Sequence, residues 1–246
     1  MDKQFLEKRR GSAGGLHTAR VDAGVRAGWE GLDGATGYPA EQAGSTVDYL
    51  KQVYALLGAS LLLAVAAGYV GMGFDWIARS PMLYLGAQLG LFALVFFVRN
   101  AATLFLFTGL SGFLTGPIVA HYVHAGMSSV VGQAFFLTGV TFAVLTVYAM
   151  QTRRDLSGMG SMMFAGLVVL VVGGLVNLFL RLPMLSFALS AMGALIFSGY
   201  LLWETQRLKQ QPWVVPAPVA ALSMYLNVLN LFLSLLQLLG FASRDD

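Results

Sequence analysis

The sequence contains no cysteine, which excludes a disulfide, a thiol nucleophile and a thiolate metal site, and leaves the redox state of the compartment unmarked. Charge is scarce as well: only 11% of residues are Asp, Glu, Lys or Arg, against roughly a quarter in soluble proteins. Water is therefore not the main solvent of this chain. The first 49 residues lack the short basic start and apolar core of a secretory leader, so the amino terminus is expected to stay on the side where it is made. The basic residues are not gathered with aromatics on one face, and the net charge of +3 does not point to nucleic acid.

What the sequence holds in quantity is apolar residues, 57% of the 246, with a mean hydropathy of +0.70. They come in runs of about 20, the length needed to cross a hydrocarbon core of about 30 Å. Seven helices are expected, at residues 50–70, 82–98, 102–123, 130–150, 159–180, 184–203 and 219–239. The breaks carry Pro81, Arg99 with Asn100, the stretch 124–129, the run Arg153-Arg154-Asp155, Arg181-Leu182-Pro183 and the proline-rich 211–218, each of them suited to a turn or loop. The fold class that follows is all-α, an integral membrane bundle of seven transmembrane helices over residues 50–246, preceded by a tail at 1–49. That tail is rich in glycine and small polar residues; it buries too little apolar surface to offset its ordering entropy and is expected to be flexible.

Orientation follows from the basic residues, because cytoplasmic loops retain positive charge. With the amino terminus inside, the cytosolic side holds Lys3, Lys8, Arg9, Arg10, Arg20, Arg26, Lys51, Arg99, Arg153, Arg154, Arg207 and Lys209, and the other side only Arg79, Arg181 and Arg244. The expected topology is amino terminus cytosolic and carboxyl terminus outside. Within the spans, Gly112 and Gly116, and Gly166 with Gly173 and Gly174, are small residues at helical spacing that let helices approach closely. Pro117 removes one backbone donor, so the carbonyl it frees needs cover from a neighbour.

Several ordered segments resemble one family. Thr152-Arg153-Arg154-Asp155-Leu156-Ser157-Gly158-Met159-Gly160, followed by Gly174-Leu175-Val176-Asn177-Leu178-Phe179-Leu180, is similar to the Bax inhibitor family of seven-helix membrane proteins. So are Phe107-Thr108-Gly109-Leu110-Ser111-Gly112 with Gly116-Pro117-Ile118, Phe197-Ser198-Gly199-Tyr200 with Glu204-Thr205-Gln206, and Tyr225 through Leu236. The ending Leu239-Gly240-Phe241-Ala242-Ser243-Arg244-Asp245 looks most like bacterial members that modulate the membrane-anchored ATP-dependent protease FtsH. That resemblance implies a bacterial inner membrane, FtsH and its associated membrane complex as partners, a periplasmic carboxyl terminus, a cytosolic tail that the protease can grip, and a bundle that resists extraction. A flexible tail of 49 residues would explore about 40 Å, enough to enter a ring-shaped unfoldase.

The resemblance also implies a comparison with calcium-leak members, which set two acidic residues against one another from the sixth and seventh helices. Here the first position is Glu204 and the second is Asn227, an amide. Two carboxylates sharing one site push one pKa strongly upward and can sense pH, and a carboxylate beside an amide lacks that repulsion. Glu204 is a candidate site because it is an acid in a membrane span; the alternative is a helix-end carboxylate near water, paired with Arg99 or Arg207. Asn177, Asn227 and Asn230 join the candidate intramembrane polar site, with hydrogen bonding between helices as their structural reading. Arg153, Arg154 and Asp155 form a candidate cytosolic contact, or simply an anchored loop.

No enzyme activity and no cofactor are expected. Gly109-Leu110-Ser111-Gly112 resembles the serine motif of rhomboid intramembrane proteases, but a serine nucleophile needs a base within about 3 Å. The histidines are His17, His121 and His124, and His121 lies about 15 Å along the same helix from Ser111. His121 and His124 share the spacing of a metal-binding pair, with Asp75 the one further ligand in prospect from another loop; histidines at the membrane interface are the alternative.

Overall fold

The computed structural model describes residues 46–74, 86–87, 90–91, 93–95 and 97–243. Most of the expected tail and about half of the block at 82–98 lie outside the described residues. Six long helices account for the rest: α1 (Thr46–Gly71), continued by a 3-10 turn at Met72–Phe74, α2 (Ala101–His124), α3 (Ser128–Gln151), α4 (Met159–Leu180), α5 (Pro183–Gln210) and α6 (Ala217–Ala242). Among the described residues there is no strand. All six are long and apolar enough to cross a bilayer, and the protein is an all-helical membrane bundle.

Helix ends follow local chemistry. Asn100 caps α2: its side chain accepts from the Thr103 N–H at 2.9 Å while Thr103 Oγ1 accepts from the Asn100 N–H at 3.3 Å, a reciprocal box that starts the helix one residue after the Arg99-Asn100 break. α4 stops at Arg181, which takes a left-handed conformation (φ 52°), and Pro183 then opens α5 at its first turn. α1 starts earlier than the expected span, at Thr46. Tyr49 is fully buried, donates its hydroxyl to the Val215 carbonyl at 2.8 Å and lies 4.9 Å from the Trp213 ring, so the last four residues of the expected tail belong to the bundle.

α6 is the central helix. It packs against α1, α2, α3 and α5 and carries buried residues from Ala217 to Gly240. α4 is the outermost, packed on α5 with no residue buried; its exposed Val172, Leu175, Leu178 and Phe179 are the surface a bilayer would cover. The closest helix pair is α1 with α2. A Cβ placed on Gly112 would meet the backbone of Ala64, and one on Gly116 would meet that of Gly68 and Gly71. The same approach resolves the proline in α2, which runs on through Pro117: the Phe113 carbonyl freed by Pro117 sits directly against Gly71 of α1. Of the other small residues, Gly166 faces Ile196 and Gly173 faces Leu189 across the α4–α5 contact, while Gly174 faces open space.

Candidate functional site

α5 is longer than the expected span by seven residues at its far end, and this changes where its acid lies. Glu204, Thr205 and Gln206 look like the polar edge of a membrane span, yet all three are buried in a helix that continues to Gln210. Glu204 is therefore not a helix-end carboxylate. It sits about 9 Å inside the helix terminus and is 4% exposed.

Its partner is across the central interface. Asn227, on the part of α6 facing α5, is 7% exposed and donates from Nδ2 to Glu204 Oε2 at 2.8 Å. Among the described residues no Lys or Arg nitrogen is within ion-pair distance of this carboxyl; the Ser223 side chain, one turn before Asn227 on α6, is its second hydrogen-bonding neighbour. Beside it, the Tyr54 and Thr205 hydroxyls are 3.4 Å apart. A buried carboxyl with its amide held between the central helix and α5 can bind a proton or fix the register of two helices.

The other candidates separate in space. Asn230, three residues after Asn227, donates to the Leu226 carbonyl of its own helix at 2.8 Å, a local bond and not a bridge between helices. Asn177 ties the end of α4 to α5: Nδ2 donates to Ser186 Oγ at 2.6 Å and Oδ1 accepts from the Leu182 N–H at 2.9 Å. Arg99 stands in the turn before α2, its backbone N–H donating to Thr103 Oγ1 at 3.2 Å. Ser111, in the motif similar to rhomboid proteases, meets the Tyr225 hydroxyl at 2.6 Å and donates to the Thr108 carbonyl at 3.0 Å.

Arg153, Arg154 and Asp155 form an exposed loop between α3 and α4, held by a residue that the sequence did not single out. Gln206, 3% exposed, donates from Nε2 to the Arg154 carbonyl at 2.7 Å and accepts at Oε1 from the Leu156 N–H at 2.8 Å. Lys209 donates to the Met150 carbonyl at 2.6 Å. The Ser157 N–H donates to Asp155 Oδ1 at 2.9 Å, and this bond lowers the Asp155 pKa; its contribution is present at neutral pH and is lost as pH falls through that lowered pKa. Gln206→Ala is expected to remove both main-chain anchors at once, a loss of about 1–3 kcal/mol at roughly 0.5–1.5 per bond. Limited trypsin digestion at Arg153 and Arg154 in detergent checks it: cleavage should be faster in the variant, and an unchanged rate would show that the amide does not hold the loop.

A cavity of about 370 Å³ lies between α1, α2, α3 and α6, lined by Leu61, Gly68, Phe135, Phe142 and Phe232 among others. Its polar groups are spent inside the protein: Thr115 donates to the Ser111 carbonyl at 2.8 Å, Thr138 to that of Ala134 at 2.7 Å, and Tyr225 meets Ser111. The wall is thus mostly apolar, with no Asp, Glu, His, Asn or Gln among its lining residues.

Known proteins are similar to this chain across nearly the whole helical region. A family model described as "Inhibitor of apoptosis-promoting Bax1" matches residues 46–244. The chain is 38% identical over 210 residues to "Modulator of FtsH protease YccA" of Escherichia coli K12, covering 82% of this chain and 93% of that protein. It is 35% identical over 209 residues to a "Golgi anti-apoptotic protein" of vaccinia virus, covering 80% of this chain and 86% of the relative. An uncharacterized protein of Helicobacter pylori is 34% identical over 206 residues, 81% of this chain and 89% of the relative. With the family model spanning the six helices from the first turn of α1 to the end of α6, the chain belongs to the Bax inhibitor family of membrane proteins.

Proposed function

We propose that this protein modulates a membrane-anchored ATP-dependent protease of the FtsH type, in a bacterial inner membrane, with its amino terminus cytosolic and its carboxyl terminus periplasmic. The observation that carries the reading is the 38% identity with YccA over 93% of that protein's length. The proposed mechanism is competition. The leading segment engages the unfoldase, the bundle resists being pulled out, and the occupied protease turns over other membrane substrates more slowly. Close backbone packing of α1 on α2 supports this, because among the described helices α1 is the first that traction from the amino terminus would load. The loop at Arg153, Arg154 and Asp155 is the proposed second contact.

Deleting residues 1–45, which leaves α1 whole, tests the mechanism. The truncated protein is expected to insert normally, to lose co-purification with the protease and to persist longer in cells that contain it. Turnover equal to that of the full chain would refute engagement through the tail.

A second reading, a cation or proton leak of the Bax inhibitor type, rests on the buried Glu204 carboxyl and its Asn227 partner. It requires ion flux through the reconstituted protein that depends on Glu204.

A further inference from the structure

At the end of α5 beyond Glu204 lies a small pocket of about 150 Å³, lined by Ser157, Trp203, Gln206, Arg207, Gln210 and Gln211. Its chemistry is unlike that of the apolar cavity. The Arg207 guanidinium lies over the Trp203 ring, 5.3 Å from its centroid, a cation–π contact that holds the charged end of the side chain at the pocket. Gln206 forms a rigid floor, since both ends of its amide are spent on the loop backbone. Gln210 and Gln211 are exposed and free to turn their amides inward.

The charge around the pocket has one dominant sign. Arg153 and Arg154 stand on the loop that Gln206 anchors, and Lys209 is on the same helix end. Against these cations stand two acids: Asp155, an exposed carboxylate that accepts from the Ser157 N–H, and Glu204, buried one turn deeper, so the basic groups outnumber the acidic ones. The pocket also borders the lipid surface: the Trp203 ring covers Gly160 in the first turn of α4, the helix with no buried residue. Arg207 is in the last turn of α5, where a basic side chain reaches headgroup depth.

We infer that this pocket binds the phosphodiester of an anionic phospholipid. The Arg207 fork takes the non-ester phosphate oxygens, as guanidinium groups do in pairs of parallel bonds, the Gln210 and Gln211 amides meet the glycerol side, and the loop arginines favour headgroups with no compensating cation. The pocket has room for a phosphate group and not for an acyl chain, so the chains stay outside, along α4.

Native mass spectrometry of the full-length protein released from nanodiscs of equal phosphatidylglycerol and phosphatidylcholine tests the assignment. Wild type is expected to retain phosphatidylglycerol preferentially, and Arg207→Gln to lower that preference about fivefold, the effect of one basic residue at an anionic membrane surface. Arg181→Gln, at the far end of α4, should leave it unchanged, and Arg207→Lys, which keeps the charge without the planar fork, should fall between. Equal retention by wild type and Arg207→Gln would overturn the site. Displacement of the retained lipid by inorganic phosphate would overturn the lipid source and leave a soluble anion as the ligand.

Discussion

Gly112→Ala is expected to destabilise the bundle by about 1–3 kcal/mol, and Gly112→Leu to prevent its assembly. The added Cβ would lie 2.6 Å from the Ala64 Cα and closer still to the Ala64 carbonyl oxygen. These are backbone atoms inside a helix, so no rotamer change relieves the contact and α1 must move away from α2. The penalty does not stop at one residue. A Cβ on Gly116 would likewise meet the backbone of Gly68, and that of Gly71 and Met72 at 2.7 and 2.8 Å, and Gly71 covers the Phe113 carbonyl that Pro117 leaves without its helical donor. Separating the helices uncovers that carbonyl in a medium with no water to satisfy it. Gly174→Ala, where nothing lies within 4 Å, should stay within about 0.5 kcal/mol of wild type. Thermal unfolding in detergent, read by tryptophan fluorescence, separates the two positions, and a Gly112→Ala protein that melts like wild type would show that the helices do not touch there. The same variant bears on extraction, because a loosened α1 should make the protein a better substrate for a protease pulling from its amino terminus.

Much of this architecture is legible in the sequence, for reasons that differ between elements. α4 is found at the residues expected, 159–180, because Gly158 and the Arg181-Leu182-Pro183 turn bracket an uninterrupted apolar run. The Gly112 and Gly116 contact is also readable, since small residues four apart have few other uses in a membrane helix. What the sequence hides is the partner of each polar group. Asn227 and Asn230 look alike, three residues apart in one apolar helix, yet one crosses to Glu204 and the other folds back on Leu226; only the position of α5 decides between them. The length of α5 was obscured for the same reason. Glu204-Thr205-Gln206 has the polarity of a loop, and its burial depends on Asn227 and on the backbone of the loop after α3, which are distant in sequence. Gln206 carried one signal that sequence reasoning passed over, a long amide at the end of a span beside a loop with main-chain groups to satisfy.

Asn227→Leu is expected to cost about 1–3 kcal/mol, the penalty for leaving a buried polar group without its partner, and Glu204→Met combined with Asn227→Leu to recover most of it. The sign of that coupling follows from burial. Each single change takes the 2.8 Å partner from either the Glu204 carboxyl or the Asn227 amide where exposure is 4% or 7%, whereas the double change removes both polar groups and keeps the volume between α5 and α6. Unfolding of the four proteins in detergent closes the cycle, and additive losses would mean that the 2.8 Å contact contributes nothing as a pair. The double variant also divides the functional readings, because it keeps the bundle while deleting the carboxylate and the amide that faces it. Co-purification with the protease should survive in it if modulation works through the tail and the packed helices. An ion flux present in wild-type liposomes and absent from both Glu204→Gln and the double variant would instead assign the pair to a leak pathway, and the retained polarity of this site would then reflect transport and not the fixing of helix register.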